Sequence, residues 1–195
     1  DKQAFCDLSA ALAQIPGTEL RLSPDQTVYI INLNGEEAQR VLALTADGAR
    51  SAFECSVSCI GGKPCQVGVR DSQGLLSACV EAVRAAGVPD GALPQMYISG
   101  CMSSCGTHQT GVIGLRGASK LVDGKPQSAF ALFVHGESHQ GGETMGRELG
   151  TILESRVPEF VVELGKTVAA GGLSFADWNA QNPDGLEGIA APYLA

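Results

Sequence analysis

The stretch SGCMSSCGTHQTGVIGLRG, residues 99–117, places two cysteines in a glycine-rich turn and follows them with a short apolar run. Three residues separate Cys101 from Cys105, with a glycine before the first cysteine and another after the second. The flanking segments QMYIS (95–99) and GVIGL (111–115) have the apolar, β-branched and aromatic composition of strands. We therefore expect a pair of thiols on a turn between two strands.

A second close pair, Cys59 and Cys65 in CIGGKPC, lies upstream, with 35 residues between Cys65 and Cys101. The chain has seven cysteines, an odd number that does not suit a full set of disulfides. Its 195 residues can bury a core without metal or disulfides, so the two pairs indicate a bound metal group. The other cysteines are interpreted as a loop thiol, Cys55, and as core residues on apolar helical faces, Cys6 and Cys79.

The spacing of these four thiols does not by itself identify the metal group. Zinc sites usually have about two to four residues between paired ligands, which fits Cys101 and Cys105 but not the longer gap of the other pair. An iron-sulfur cube takes its ligands at separate corners and benefits from backbone N–H groups near its sulfides, which the neighbouring glycines can supply. From spacing alone a [4Fe-4S] cluster, a zinc ion, and disulfides or core thiols all stay open.

Composition excludes several classes of function. The formal net charge of -8 comes with no basic run, which argues against nucleic acid as the main partner. No apolar run approaches the roughly 20 residues of a membrane helix. The opening DKQAFCDLSAALAQI lacks the basic flank and cleavage site of a signal peptide, so we expect a cytoplasmic protein that binds neither membrane nor nucleic acid.

Helical and strand patterns alternate along the rest of the chain, which favours an α+β or α/β fold. Helices are predicted over residues 2–15, over EEAQRVLAL after Gly35, from a Ser72 cap to Gly87, and from Pro158 to residues 169–172. Further strands are predicted at ELRL (19–22), TVYIINL (27–33) and SAFALFVHG (128–136). Phe175 and Trp178 are expected to pack the C-terminal tail against the body of the protein.

The two cysteine pairs resemble the cluster-binding signature of the siroheme-dependent nitrite and sulfite reductases, in which five-residue and three-residue gaps also occur. The resemblance extends upstream to RLSPDQTVYIINL (21–33) and downstream to FALFVHGE (130–137) and FADW (175–178). It implies an α+β fold corresponding to the C-terminal half of such a reductase. The implied domains are a partial ferredoxin-like lobe (1–48), a cluster and siroheme domain (49–172) and a packed C-terminal tail (173–195).

The resemblance also implies a function, the six-electron reduction of nitrite to ammonia or of sulfite to sulfide. Electrons would come from a donor such as ferredoxin or a flavoprotein. The implied ligands of a [4Fe-4S] cluster are Cys59, Cys65, Cys101 and Cys105. Of these, Cys105 is implied to ligate the siroheme iron as well, and is therefore the expected catalytic residue. Further candidates for contact with siroheme are Arg21, Gln26, Arg70, Arg116 and His108.

Three features depart from the family pattern. Met102, Ser103 and Ser104 stand where the family commonly has Pro-Asn-Gly, and Val112 stands where it commonly has an acidic residue. The chain resembles only one of the family's two halves, so we expect a fragment, a half completed by a partner subunit, or a reduced relative. Alternatives are a non-catalytic iron-sulfur electron carrier or sensor, and an oxygenase resembling precorrin-3B synthase. That enzyme's turn typically has Lys-Gly before the second cysteine.

Overall fold

The structure is a computed structural model that describes residues 2–23, 26–46 and 48–194. It divides into two compact units, Asp1–Ala49 and Arg50–Ala195. Helices accompany a two-stranded antiparallel sheet in the first unit and a five-stranded mixed sheet in the second, so the predicted α+β class is confirmed. Whether these units are the separate domains that the sequence implied stays a prediction.

The first unit is built from two helices and a β-ribbon. Its elements are α1 (Lys2–Leu12), β1 (Glu19–Leu22), β2 (Val28–Ile31) and α2 (Gly35–Leu44). The two strands, both predicted, pair antiparallel, and α2 begins at a capping box in which Asn34 and Glu37 each accept the other's backbone N–H. The buried cluster is small, consisting of Leu12, Ile15 and Val41.

The expectation that Cys6 lies in the core is wrong, because its side chain is exposed. The buried side of α1 carries Leu8 and Leu12, one helical turn apart, which pack towards Ile15 and Val41. Cys6 lies two residues before Leu8 and is therefore rotated by roughly 200° from that side of the helix.

The second unit contains a mixed sheet and four helices. Its elements are β3 (Val57–Ser58), α3 (Ser72–Ala86), β4 (Met96–Ser99), β5 (Ile113–Val122), β6 (Lys125–Val134), β7 (Arg147–Leu153), α4 (Val157–Ala170), α5 (Phe175–Gln181) and α6 (Gly185–Ala190). Strands β3, β4 and β5 are parallel neighbours, and β5, β6 and β7 form an antiparallel meander. The sequence patterns predicted the positions of β4, β5 and β6 but missed β3 and β7.

A single core cluster joins the sheet to the helices of this unit. Cys79 on α3 is fully buried within it, as predicted, and burial raises the pKa of its thiol to about 12. Phe175 and Trp178 of α5 also belong to this cluster, which confirms that the C-terminal tail packs on the body. None of the helices in the described part of the chain has the length and apolar character needed to cross a membrane.

The expected Ser72 cap of α3 is also wrong. Asp71 is the N-cap residue, and its carboxylate accepts the N–H of Gly74 at 3.0 Å. Ser72 is instead fully buried in the first turn, where its hydroxyl oxygen lies 2.8 Å from the carbonyl oxygen of Cys59. The C-terminal end follows the prediction, since Gly87 adopts the left-handed conformation with φ of 65°.

Candidate functional site

Both cysteine pairs lie where neighbouring parallel strands end. Cys59 directly follows β3, and Cys101 comes two residues after the end of β4. Because β3 and β4 pair in parallel, with Ser58 opposite Ile98, their carboxyl ends lie at the same edge of the sheet. Ligands of open α/β sheets bind beyond this edge. The segments that leave the two strands are called here the first thiol loop (residues 59–70) and the second thiol loop (residues 100–107).

The two loops are joined by backbone hydrogen bonds. The carbonyl oxygen of Gly100 accepts the N–H groups of Val69 and Arg70, at 3.1 and 2.9 Å. The N–H of Gly62 donates in turn to the carbonyl oxygen of Arg70 at 2.7 Å, which folds the first loop back on itself. These bonds hold the two pairs of thiols next to each other.

Four cysteines line a single cleft between these loops. They are the four that the sequence grouped by spacing: Cys59, Cys65, Cys101 and Cys105. The cleft is narrow, with a cavity volume of about 30 Å³. Cys55 does not line it, and the Cys55 carbonyl oxygen instead accepts a hydrogen bond from the Gln95 side chain.

The thiol of Cys59 forms hydrogen bonds with groups from both sides of the cleft. Its Sγ accepts the N–H of Gly100 at 3.1 Å and lies 3.2 Å from the hydroxyl oxygen of Ser72. Burial alone would raise the pKa of the Cys59 thiol, but these hydrogen bonds outweigh it and the net shift is downward. The surroundings of Cys59 therefore make its thiolate, the form that binds metals, easier to form than that of an ordinary cysteine.

Glycines allow this close approach. A Cβ on Gly100 would lie 2.7 Å from the carbonyl oxygen of Arg70 and 3.5 Å from Cys59 Sγ. Gly61 has φ of +73°, and a Cβ there would lie 2.8 Å from the backbone nitrogen of Ser72. A side chain at either position would push the loops apart, so the cleft depends on glycine at both.

The arrangement of the thiols bears on which metal group they could hold. Among residues 2–23, 26–46 and 48–194, no three or more His, Cys, Asp or Glu residues are grouped so that they could hold a metal ion. A tetrahedral zinc site needs its donors to converge on one point, whereas a cube takes one thiolate at each of four separated irons. In the part of the chain that the structure describes, the four thiols line one cleft without being grouped as the ligands of a single metal ion.

Two of the predicted siroheme contacts lie close to the thiol loops. Arg70 ends the first loop, where Nη1 donates to the carbonyl oxygen of Val69 at 2.7 Å. Its Nε is buried without a hydrogen-bond partner among the described residues. Arg116 is the β5 neighbour of Ser99, but its guanidinium already pairs with Glu148 at 3.1 Å and stacks 5.1 Å above the Phe133 ring.

Further cations and polar candidates for siroheme contact either pair with carboxylates or lie in the first unit. Lys63, in the first loop, forms an ion pair with Asp71 at 2.6 Å. Arg21 lies on β1 of the first unit, where it pairs with Glu19 on the same strand. Gln26 is an exposed turn residue of that unit with φ of 62°.

His108 lies behind the second thiol loop, in a short 3-10 helix formed by His108–Thr110. The ring is 1% exposed and does not line the cleft, since its Nδ1 lies 2.9 Å from the hydroxyl oxygen of Ser99. Burial, together with the charge of Arg116, lowers the pKa of His108 to about 4. The structure thus gives this nitrogen a serine partner, and a contact between His108 and siroheme stays a prediction.

Sequence reasoning missed the serines that support the thiols. Ser72 contacts Cys59, and Ser99 accepts the N–H of Gly106 at 3.1 Å. Ser99 directly precedes the Gly100-Cys101 step, and this adjacency is the only signal in the sequence that could have drawn attention to it. Ser72 occupies an ordinary first-turn position, where a role as helix cap was the simpler interpretation.

Comparison with known proteins shows the fold. No protein-family model and no curated protein sequence matches the chain. Among solved structures, the NirA protein of Mycobacterium tuberculosis is similar, with a TM-score of 0.69 over 91% of this chain at 19% sequence identity. The chain spans only 35% of the length of that protein. The likeness supports the nitrite/sulfite reductase-like α+β fold that the sequence resemblance implied.

Proposed function

We propose that this chain is the cluster-binding half of a siroheme-dependent nitrite or sulfite reductase. In this proposal Cys59, Cys65, Cys101 and Cys105 hold a [4Fe-4S] cluster. The observation that carries it is the cleft at the carboxyl ends of β3 and β4, which these four thiols line together. The structural likeness to NirA supports the corresponding fold.

The loops prepare the thiols for a cluster. The hydrogen bond from the Gly100 N–H compensates negative charge on Cys59 Sγ. It does not need to form at the moment of binding, because the glycine-dependent packing of the two loops already holds this donor in place.

Cys105 is the thiol best suited to a second ligand. It is exposed, whereas the other three cysteines of the cleft are half-buried. An exposed sulfur can contact one group inside the cleft and another outside it, as the proposed ligation of the siroheme iron requires. The cofactors, when bound, would carry electrons singly to the iron that holds nitrite or sulfite.

The cations of the chain favour a half rather than a complete enzyme. Siroheme carries many carboxylates, and leaving a buried charge unpaired costs several kcal/mol. The chain has 13 basic against 21 acidic residues, and Lys63, Arg116 and Arg21 each already pair with a carboxylate. We therefore propose that a partner half, or a further part of the same protein, supplies most of the charges that hold siroheme and substrate.

The pairing of these cations also favours a second candidate, an iron-sulfur electron carrier without siroheme. An optical spectrum of the purified protein separates the two, because a reductase half with its partner would show a macrocycle absorption band and a carrier would not.

The reductase proposal is tested by methyl-viologen-driven reduction of nitrite and sulfite, with the chain alone and with any co-purifying partner. We expect the chain alone to hold its cluster, to bind siroheme weakly and to turn over neither anion at a useful rate. A partner that restores both siroheme and turnover would support the proposal. Stoichiometric siroheme and full turnover by the chain alone would contradict its half-enzyme part, and failure of both anions with every partner would favour the carrier.

A further inference from the structure

The second thiol loop is held from behind by the 3-10 helix His108–Thr110. The side-chain nitrogen of Gln109 donates to the hydroxyl oxygen of Ser104 at 2.5 Å, and that hydroxyl lies 3.2 Å from the carbonyl oxygen of Met102. His108 reaches the same loop through Ser99, whose hydroxyl oxygen accepts the N–H of Gly106. Two adjacent side chains of one helical turn thus fix points on either side of Cys105.

The backbone at these points adopts a conformation that needs support. Ser104 has φ of 59° and Thr107 has φ of 48°, in the left-handed region that glycine enters freely and other residues rarely occupy. Such conformations persist only where surrounding contacts impose them. The bond from Gln109 to Ser104 is a contact of this kind, and it lies directly beside a proposed ligand.

We propose that Gln109 and His108 are positioning residues, which hold the second thiol loop in its ligand-binding shape before any cofactor is present. Gln109 acts by holding Ser104 in its left-handed conformation, and His108 acts through Ser99 on the Gly106 N–H. The statement that these ligands bind a cluster rests on the proposed function. The hydrogen bonds that position them are observed independently of it.

His108 contacts the second thiol loop through one ring nitrogen. Its Nδ1 lies 2.9 Å from Ser99 Oγ, and the same hydroxyl oxygen accepts the Gly106 N–H. The ring packs edge-on against Phe133 at a centroid distance of 4.7 Å. Asparagine can place a polar atom near the Nδ1 position, whereas leucine can only fill the space.

The experiment measures hydrogen exchange of the segment 100–107 in the full chain, and iron release to a chelator in the same samples. We expect Gln109→Ala to speed exchange of this segment about tenfold, the effect of losing roughly one hydrogen bond. Ser104→Gly should retain the protection of the parent chain, because glycine adopts the conformation unaided. In a chain that already carries Ser104→Gly, adding Gln109→Ala should then change the exchange rate of this segment little.

Matched variants complete the test. Gln127→Ala, at an exposed position on β6, should change neither readout. His108→Leu should speed hydrogen exchange at the Gly106 N–H. His108→Asn should retain most of the protection that the parent chain shows there. If Gln109→Ala does not fold, Gln109→Asn, whose side chain is one methylene too short to reach Ser104, replaces it in the same comparison.

The outcomes separate this inference from the proposed function. The positioning role would be overturned if Gln109→Ala did not speed exchange of the segment 100–107. It would also be overturned if Gln109→Ala sped exchange equally with Ser104 and with Gly at position 104. Both results hold whatever metal is bound. Coupling between the two positions in a chain that holds no iron or sulfide would support the positioning role while contradicting the proposed function.

Discussion

The two thiol loops reach the same cleft by different means. The first is closed by its backbone, with the Gly62 N–H donating to Arg70 at 2.7 Å and the Cys65 N–H donating to Gly61 at 3.0 Å. The second has one such backbone bond, from the Thr107 N–H to the Ser104 carbonyl oxygen at 2.8 Å, and is held in addition by side chains, from Gln109 to Ser104 and from His108 to Ser99. A loop closed by backbone bonds is sensitive to added volume, whereas a loop held by side chains is sensitive to lost partners and to protonation.

The largest effect is expected from protonation of His108, which supports only the second loop. Its pKa of about 4 in the folded chain lies below the ordinary value of 6.5. As the pH falls from about 6.5 to 4, the unfolded chain takes up a proton that the folded chain does not. The neutral His108 ring therefore makes its full contribution to the free energy of unfolding above about pH 6.5. As the pH is lowered to 4, the free energy of unfolding falls by roughly 3 kcal/mol.

Urea unfolding between pH 7 and 4 measures this loss. His108→Asn should flatten the dependence over that range, while Gln127→Ala, at an exposed position on β6, should leave it unchanged. The same acid dependence in His108→Asn as in the parent chain would show that His108 is not the group responsible.

The next effect concerns the first loop and added volume. A Cβ on Gly68 would lie 2.6 Å from the Cα of Gly62 and 2.9 Å from its backbone nitrogen, so the neighbouring backbone leaves it no room. We expect Gly68→Ala to lower the free energy of unfolding by about 2 kcal/mol. Gly188→Ala is the control, because no atom lies within 4 Å of its Cβ position. An equal response of the two variants would mean that the first loop does not depend on this close approach.

A smaller effect, of opposite sign, is expected in the second loop. Thr107 is β-branched and has φ of 48°, so Thr107→Gly should relieve strain and raise the free energy of unfolding by about 1 kcal/mol. In a regular strand the same substitution removes packing, so Thr151→Gly on β7 should lower stability. Destabilisation by Thr107→Gly in thermal or urea unfolding would contradict a strained second loop.

The smallest effect is expected at the ion pair between Lys63 and Asp71. The Lys63 side chain is 79% exposed, and solvent and salt screen exposed pairs of this kind. Lys63→Ala should therefore leave the unfolding free energy unchanged within error. A clear loss of stability would show that the first loop relies on a side-chain bond after all, which would weaken the contrast between the loops.

The same contrast explains how much the sequence could predict. Cysteine spacing and adjacent glycines are local patterns, and they selected Cys59 over Cys55 for the group of four that the structure brings to one cleft. Helix ends such as Gly87 were predictable for the same reason.

The partners of the second loop depend on contacts that no local pattern encodes. Cys6 was misinterpreted because the face that a helix buries is set by tertiary packing. The contact between His108 and Ser99 was not predicted for the same reason. Strand β7 was missed because RELGTIL lacks a clear alternation and is defined mainly by its pairing with β6.

The cluster itself has a direct test in ligand substitution. Cys105→Ser should lose or distort the cluster, since it replaces a thiolate of the cleft. Cys55→Ser should retain it, because Cys55 is exposed and does not line the cleft. Absorbance and acid-labile sulfide of the two variants, purified side by side, give the comparison. Equal retention would refute the assignment of Cys105 as a ligand.

The central claim is that the cleft holds an iron-sulfur cube, and the most direct measurement is the iron, acid-labile sulfide and zinc content of the anaerobically purified chain. Four thiolates in one cleft predict about four irons and about four sulfides per chain, with no zinc. One zinc per chain with no sulfide would contradict the claim.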